Sequence, residues 1–313
     1  MTMKSPKTIA AMVAIFFVSF LLFLYLSFPY GVLKEAISSQ LQVATGVTVR
    51  MESFGPAFPF GFSGQGVEIY KGQSSRVKFR HVSAKLSILQ LLMFRLGVNL
   101  DVEDEQGGEL EVGVGFGLVD IVTGRIGMPS YASMTANKFQ LQSLTDFAIQ
   151  SAVAAGVGGP IAGQLLAKLG IKGKLNGKVN LSLNGKNIAQ SSGDLKINFT
   201  DALLVLSDPS LNFPDQAFKM AQLTASLASG TLNIDPTTRF MTEELEMGVD
   251  GKVVLRAQTA NSDLSLKAFV RLKGLLGEQY GPIIDAFSNG MGKNGSVSLQ
   301  IAGTLAAPQM NPI

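Results

Sequence analysis

The sequence predicts a mainly β protein: an N-terminal transmembrane helix followed by a long-stranded, curved antiparallel sheet with a few short helices. Three observations carry this expectation. Residues Ile9–Phe28 run for twenty positions without a charge. From Gly46 onward apolar residues recur at every second position, the period of a strand with one buried face. Glycines, 34 in the chain, fall repeatedly on the apolar side of that alternation (Gly173, Gly177, Gly251, Gly303), where a missing side chain marks a bend or a close approach.

Residues 1–8 form a short basic tip, with Lys4 and Lys7 and no acid. Residues 9–28 form the anchor, running from Ile9 through Phe16 and Leu22 to Phe28. Thirteen of its twenty residues are Val, Ile, Leu or Phe, and about 20 apolar residues of helix cross a hydrocarbon core roughly 30 Å thick. At about −0.3 to −0.6 kcal/mol for each of these, insertion is favourable by several kcal/mol. Positive charge precedes the span, whereas Lys34 and Glu35 after it cancel, so the N-terminus is expected in the cytoplasm and residues 29–313 on the far side. A cleaved signal peptide would have a shorter apolar region and a small-x-small site, and Tyr25-Leu26-Ser27-Phe28-Pro29-Tyr30 offers none.

Residues 29–142 form a first β-rich half. Tyr30–Thr45 opens it as an amphipathic helix at the membrane surface or capping a sheet, closed by Gly46. Strands are expected around Val47–Met51, Gly66–Tyr70, Arg76–Ile88, Leu96–Glu103 and Leu110–Phe116, with a hairpin turn at Gln106-Gly107-Gly108. Pro56 and Pro59 make Phe54–Phe62 a turn or an edge. Leu89–Leu96 has room for one or two helical turns.

Residues 143–170 form a helical connector, with an N-cap expected at Leu144-Thr145-Asp146 and a break at Gly158-Gly159-Pro160. Phe147–Ala167 is charge-free but rich in alanine and glycine, which favours a helical hairpin packed on the sheet over a second membrane span. Residues 171–313 form the second β-rich half and show the cleanest alternation. Its apolar face includes Leu175, Val179 and Leu181 in the first strand, Met247, Val249 and Val253 in a thirteen-residue run Leu245–Ala257, and Leu299 and Ile301 near the end. Glu278–Asn289 is the one helical interruption expected there. Either the apolar face lines a curled interior or it packs on a second sheet.

Composition narrows the chemistry. The chain has no cysteine, one histidine and a net charge of +3, which excludes thiolate chemistry and gives no ground for nucleic-acid binding. His81 lies in a strand pattern without an evident carboxylate partner. Asp101, Glu103 and Glu105 read as a solvated strand face, and Gly113-x-Gly115-x-Gly117 lacks the Lys-Ser/Thr and helix of a phosphate loop. Lys172, Lys174 and Lys178 share one strand, where they protect an edge or meet anionic lipid or an acidic partner. No catalytic residue, cofactor or metal site is expected.

The order of these parts carries a resemblance. A basic tip, an uncleaved span, Phe28-Pro29-Tyr30-Gly31, an amphipathic helix, Gly46-Val47-x-Val49 and Phe58-Pro59-Phe60-Gly61 resemble the type II secretion system protein N family of bacterial inner-membrane proteins. The tail Gly295–Pro308 also resembles the ending of AsmA-like envelope proteins, which build long curved sheets with an apolar groove and are implicated in lipid transport or outer-membrane assembly. The first resemblance implies a non-enzymatic accessory or structural part of the machine that exports folded proteins, crossing the inner membrane once with residues 29–313 in the periplasm. Its expected partners are membrane lipid and other type II secretion components. The second implies a lipid carrier.

Overall fold

The structure, a computed structural model, describes residues 29–313 apart from 46, 59, 72–74, 88–89, 91–94, 119–128, 155–166, 185–186, 208–212, 257, 259–260 and 288–294. The tip, the anchor Ile9–Phe28 with Phe16 and Leu22, the closing Gly46 and the break at Gly158-Gly159-Pro160 lie outside these residues. No helix among the described residues is long and apolar enough to cross a membrane.

The described chain is mainly β. Its strands are β1 (Val47–Arg50), β2 (Ser53–Ala57), β3 (Gly61–Lys71), β4 (Ser75–Leu86), β5 (Arg95–Asp104), β6 (Glu109–Gly117), β7 (Tyr131–Gln140), β8 (Leu169–Ser182), β9 (Ser192–Leu206), β10 (Gln216–Ala217), β11 (Met220–Ala228), β12 (Thr231–Ile234), β13 (Arg239–Met241), β14 (Leu245–Val254), β15 (Asp263–Leu272), β16 (Ser296–Thr304) and β17 (Pro308–Pro312). Three helices join them: α1 (Tyr30–Thr45), α2 (Leu141–Ala154) and α3 (Gly274–Phe287).

The seventeen strands make one sheet, paired as an antiparallel meander in which each row bonds to its neighbours in sequence. Three rows are broken in two. β1 and β2 both pair with β3, β10 and β11 both pair with β9, and β12 and β13 lie together between β11 and β14. The sheet passes directly from β7 to β8, so it is continuous across the helical connector.

The sheet is concave on its apolar side. Phe79 on β4 and Phe139 on β7 stack with ring centroids 6.2 Å apart, although a flat sheet would hold strands three rows apart about 14 Å from one another. Bulges between Phe79 and His81, Ala136 and Phe139, and Lys172 and Lys174 bend the strands near one end. That end, called lower here, carries Phe79, Phe139, Leu245 and Leu272. All three helices connect there. α2 packs on β4 and β8, and α3 packs on β15 and β16. Gly251 on β14 has φ 125°, and a Cβ there would strike the Ser265 carbonyl oxygen, so its place on the apolar face is a backbone requirement.

Several boundaries differ from the expectation. β14 stops at Val254, short of the expected run to Ala257, and the next strand begins at Asp263. α2 begins at Leu141, so Thr145 is inside the helix and is no N-cap; its hydroxyl lies 3.1 Å from the Leu141 carbonyl one turn back and 3.0 Å from Ile171 O on β8. α3 begins at Gly274 (φ 54°), where Leu275 N donates to Glu244 Oε1 at 3.0 Å. The alternation at Leu223, Ala225 and Leu227 falls on β11, whereas β7, the short strands β10, β12 and β13, and β17 are rows that it did not announce.

β17 ends the sheet in a particular way. Ile313 N donates to Ser298 O at 2.9 Å, which in an antiparallel ladder directs the backbone of Asn311 and Gln309 at β16 and that of Pro308, Met310 and Pro312 outward. Two of those three outward positions are prolines without an N–H, so Met310 is left as the one outward donor of this edge strand.

Candidate functional site

The register aligns apolar residues into ladders that run across the strands. One reads Pro56, Phe62, Ala84, Leu100, Val112, Met134, Val179, each directly opposite the next. It continues through Leu195, Ala225, Ile234, Gly251, Leu266, Ile301 and Met310. This track crosses every row, about 60 Å at roughly 4.8 Å per row. A second ladder beside it runs from Leu86 and Val98 through Leu181, Leu227 and Val253 to Leu264. From Phe62 to Ile301 the first ladder is half-buried throughout except at Ala225, which is buried. On the opposite face the matching ladder is polar, for example Ser133, Asn180, Asp194, Ser226, Asn233 and Lys252.

Toward the lower end the concave face closes. One buried cluster joins Val49, Val67, Val77, Phe79, Val102, Phe139 and Leu175 under Leu141 of α2. Another joins Leu245 and Leu272 to Leu276 and Tyr280 of α3. Between them lies a cavity of about 540 Å³, lined by Ile171, Phe199, Ala202, Leu204, Phe218, Ala221, Phe240, Met247, Val249 and Val270, with Leu141 and Thr145 of α2. Thr145 supplies the one hydroxyl in this wall. The size falls within the range of small-molecule sites, about 300–1,000 Å³, and apart from Thr145 the side chains named here are apolar.

The expected face residues occupy this concave side. Leu175 is buried in the first cluster. Val179 and Leu181 lie in the two ladders, opposite Leu195 and Gly193. Met247 and Val249 line the cavity, Val253 is buried opposite Leu264, and Leu299 and Ile301 stand opposite Ala268 and Leu266. The sequence reading missed Phe218, Phe240, Ala202 and Leu204. The first two sit on or beside strands too short to show a period. The last two follow the bulge opposite Gly173, where the alternation changes phase.

The charged groups lie on the outer face and largely pair there. Asp101 accepts from Lys85 Nζ at 2.9 Å and from Ser83 Oγ at 3.0 Å. His81 does have a carboxylate opposite it, that of Glu103 on β5, but Glu103 is engaged by Arg80 at 2.7 Å; strand pairing, invisible in the linear sequence, brings the two together. The Tyr70 hydroxyl holds the Glu68 carboxyl down at about 2, with Lys78 and Arg76 adding to the effect. Lys273 lowers Glu246, whereas burial raises Asp146 against the opposing charge of Lys172. Lys174 reaches Asp201 at 3.3 Å, and Lys178 stands opposite Lys196. Gly113 and Gly115 lie beneath the Tyr131 ring. Among the described residues no group of three His, Cys, Asp or Glu could hold a metal ion. No family model, curated protein or solved structure matches the chain.

Proposed function

We propose that this chain is a non-enzymatic, membrane-anchored envelope protein that holds the acyl chains of membrane lipid in its concave apolar groove. The observation that carries the reading is the combination of the largely apolar cavity of about 540 Å³ with a ladder of half-buried apolar residues that runs across the whole sheet on the same face. Apolar surface on this scale that no described helix covers marks a binding surface rather than a closed core. Ile9–Phe28 supplies the anchor, with residues 29–313 on the periplasmic side of a bacterial inner membrane. This is the architecture that the AsmA-like resemblance implies.

A second reading, an accessory component of type II secretion, is favoured by one place in the chain. Three described residues of the family-like stretch Phe28–Gly66 meet at the start of α1, where Tyr30 packs edge-on to Phe54 at 6.4 Å and Phe54 meets Phe62 at 5.4 Å. The two readings are compatible, since a secretion component can carry lipid.

Native mass spectrometry of gently extracted full-length protein tests the proposal, with Val249→Asp and Lys252→Asp beside the wild type. Wild type and Lys252→Asp should carry phospholipid. Val249→Asp, in the cavity wall, should lose it while the fold is kept. A buried unpaired carboxylate costs several kcal/mol if the face is packed dry, so unfolding of Val249→Asp would show a closed core and sink the groove. Secretion components without lipid would leave the second reading in possession.

A further inference from the structure

Several large apolar side chains of the first rows stand well into solvent. Phe58 is 82% exposed and Phe60 40% exposed in the turn between β2 and β3, with Leu86 at 38% and Val98 at 37% beside them. They form one patch. Leu86 N donates to Phe60 O at 2.8 Å, and Leu86 stands opposite Val98. The patch lies at the upper rim of the first rows, where the second ladder begins. Large apolar side chains exposed together mark a contact.

The position of α1 identifies what the patch meets. The first turn of α1 lies on the same part of the sheet, through the ring series Tyr30, Phe54 and Phe62, and Phe62 is two residues from Phe60. α1 then runs down the sheet edge, contacting β2 and β1, to Thr45 and the lower start of β1. The uncharged run Ile9–Phe28 ends two residues before Tyr30. The described chain therefore begins on the first rows of the sheet, beside β2. Arg95 lies near the patch in sequence, and a basic neighbour of an apolar wedge favours an anionic bilayer surface.

We propose that the β2–β3 turn is a second membrane contact, with Phe58 and Phe60 seated in the interface of the bilayer that holds Ile9–Phe28, so that the groove begins at the lipid surface. This rests on the anchor reading and goes beyond it.

The chain contains no tryptophan, so single tryptophans report position without background. Full-length Phe16→Trp, Phe58→Trp, Phe60→Trp and Met310→Trp variants are each reconstituted into vesicles containing bromine-labelled phosphatidylcholine with anionic phosphatidylglycerol. The expected result is loss of fluorescence and a blue-shifted emission at positions 16, 58 and 60, and neither change at 310, whose side chain is 66% exposed on the far row. Quenching at 16 without quenching at 58 and 60 overturns the second contact and leaves the anchor standing. Absence of quenching at 16 overturns the anchor and the contact with it. Equal quenching at 58, 60 and 310 shows unspecific adsorption and also overturns the contact.

Discussion

The lower ends of the strands and their middle are built from the same kinds of residue but bury them to different depths. Phe139 is 1% exposed and Leu276 is 1% exposed, each under or within a helix that closes the concave side. Met134, Val179 and Leu266, in the ladder above, are half-buried with no described helix over them. The difference comes from the connections: α2 and α3 leave and re-enter the sheet at the lower end, and the bulges in β4, β7 and β8 fold that end around α2. Stability is therefore concentrated below, and the middle is less covered.

The comparison is broken most directly at Phe139. Phe139→Ala removes a ring stacked on Phe79 in a fully closed site and should cost about 3–5 kcal/mol, read as a lower midpoint in denaturant unfolding of the full chain in detergent. A cost as small as that of an ordinary surface change would mean that the lower end is not the stabilising core.

Val179→Ala sharpens the contrast. In the half-buried ladder it should cost about 1 kcal/mol, near the centre for ordinary substitutions, and weaken lipid retention more than folding. Losses equal to those at Phe139 would show the ladder to be packed core.

The smallest effect concerns the outer face. Because Tyr70, Lys78 and Arg76 hold Glu68 at about 2 rather than 4.5, the folded state keeps it ionised after the unfolded chain has taken up a proton. Its contribution is fully present above pH 4.5 and fades as pH falls toward 2. Unfolding curves of Glu68→Gln should flatten in that window and match the wild type's pH dependence above it.

Much of the sheet was legible where the alternation was strong. β8, β14 and β16 carry Leu, Val and Ile on one side and Lys, Asn or Ser on the other, and the structure turns those sides as the pattern implies. β7 was not legible, because its inward residues Ala132, Met134 and Ala136 are mostly small and its outward set begins with Tyr131. β17 was hidden by two prolines, which argue against a central strand but suit an edge. The cavity was the least legible part. Its walls come from α2 and from strands spread between β8 and β15, and a bulge reverses the phase within β9, so linear spacing gives no sign that Phe199, Phe240 and Val249 meet.

The neighbour-to-neighbour pairing of the rows has a kinetic consequence. Each row needs only the one before it, so the sheet can grow by accretion as the chain emerges N-terminus first, without waiting for distant segments. Such growth presents a raw edge at every stage, and a raw edge recruits whatever strand is nearest, including one from another molecule. Pro308 and Pro312 change that at β17: the last described row is accepted by β16 but offers an incoming strand a single amide. Addition to this strand is thereby hindered, and the two prolines cost the fold nothing at the positions where β17 bonds to its neighbour.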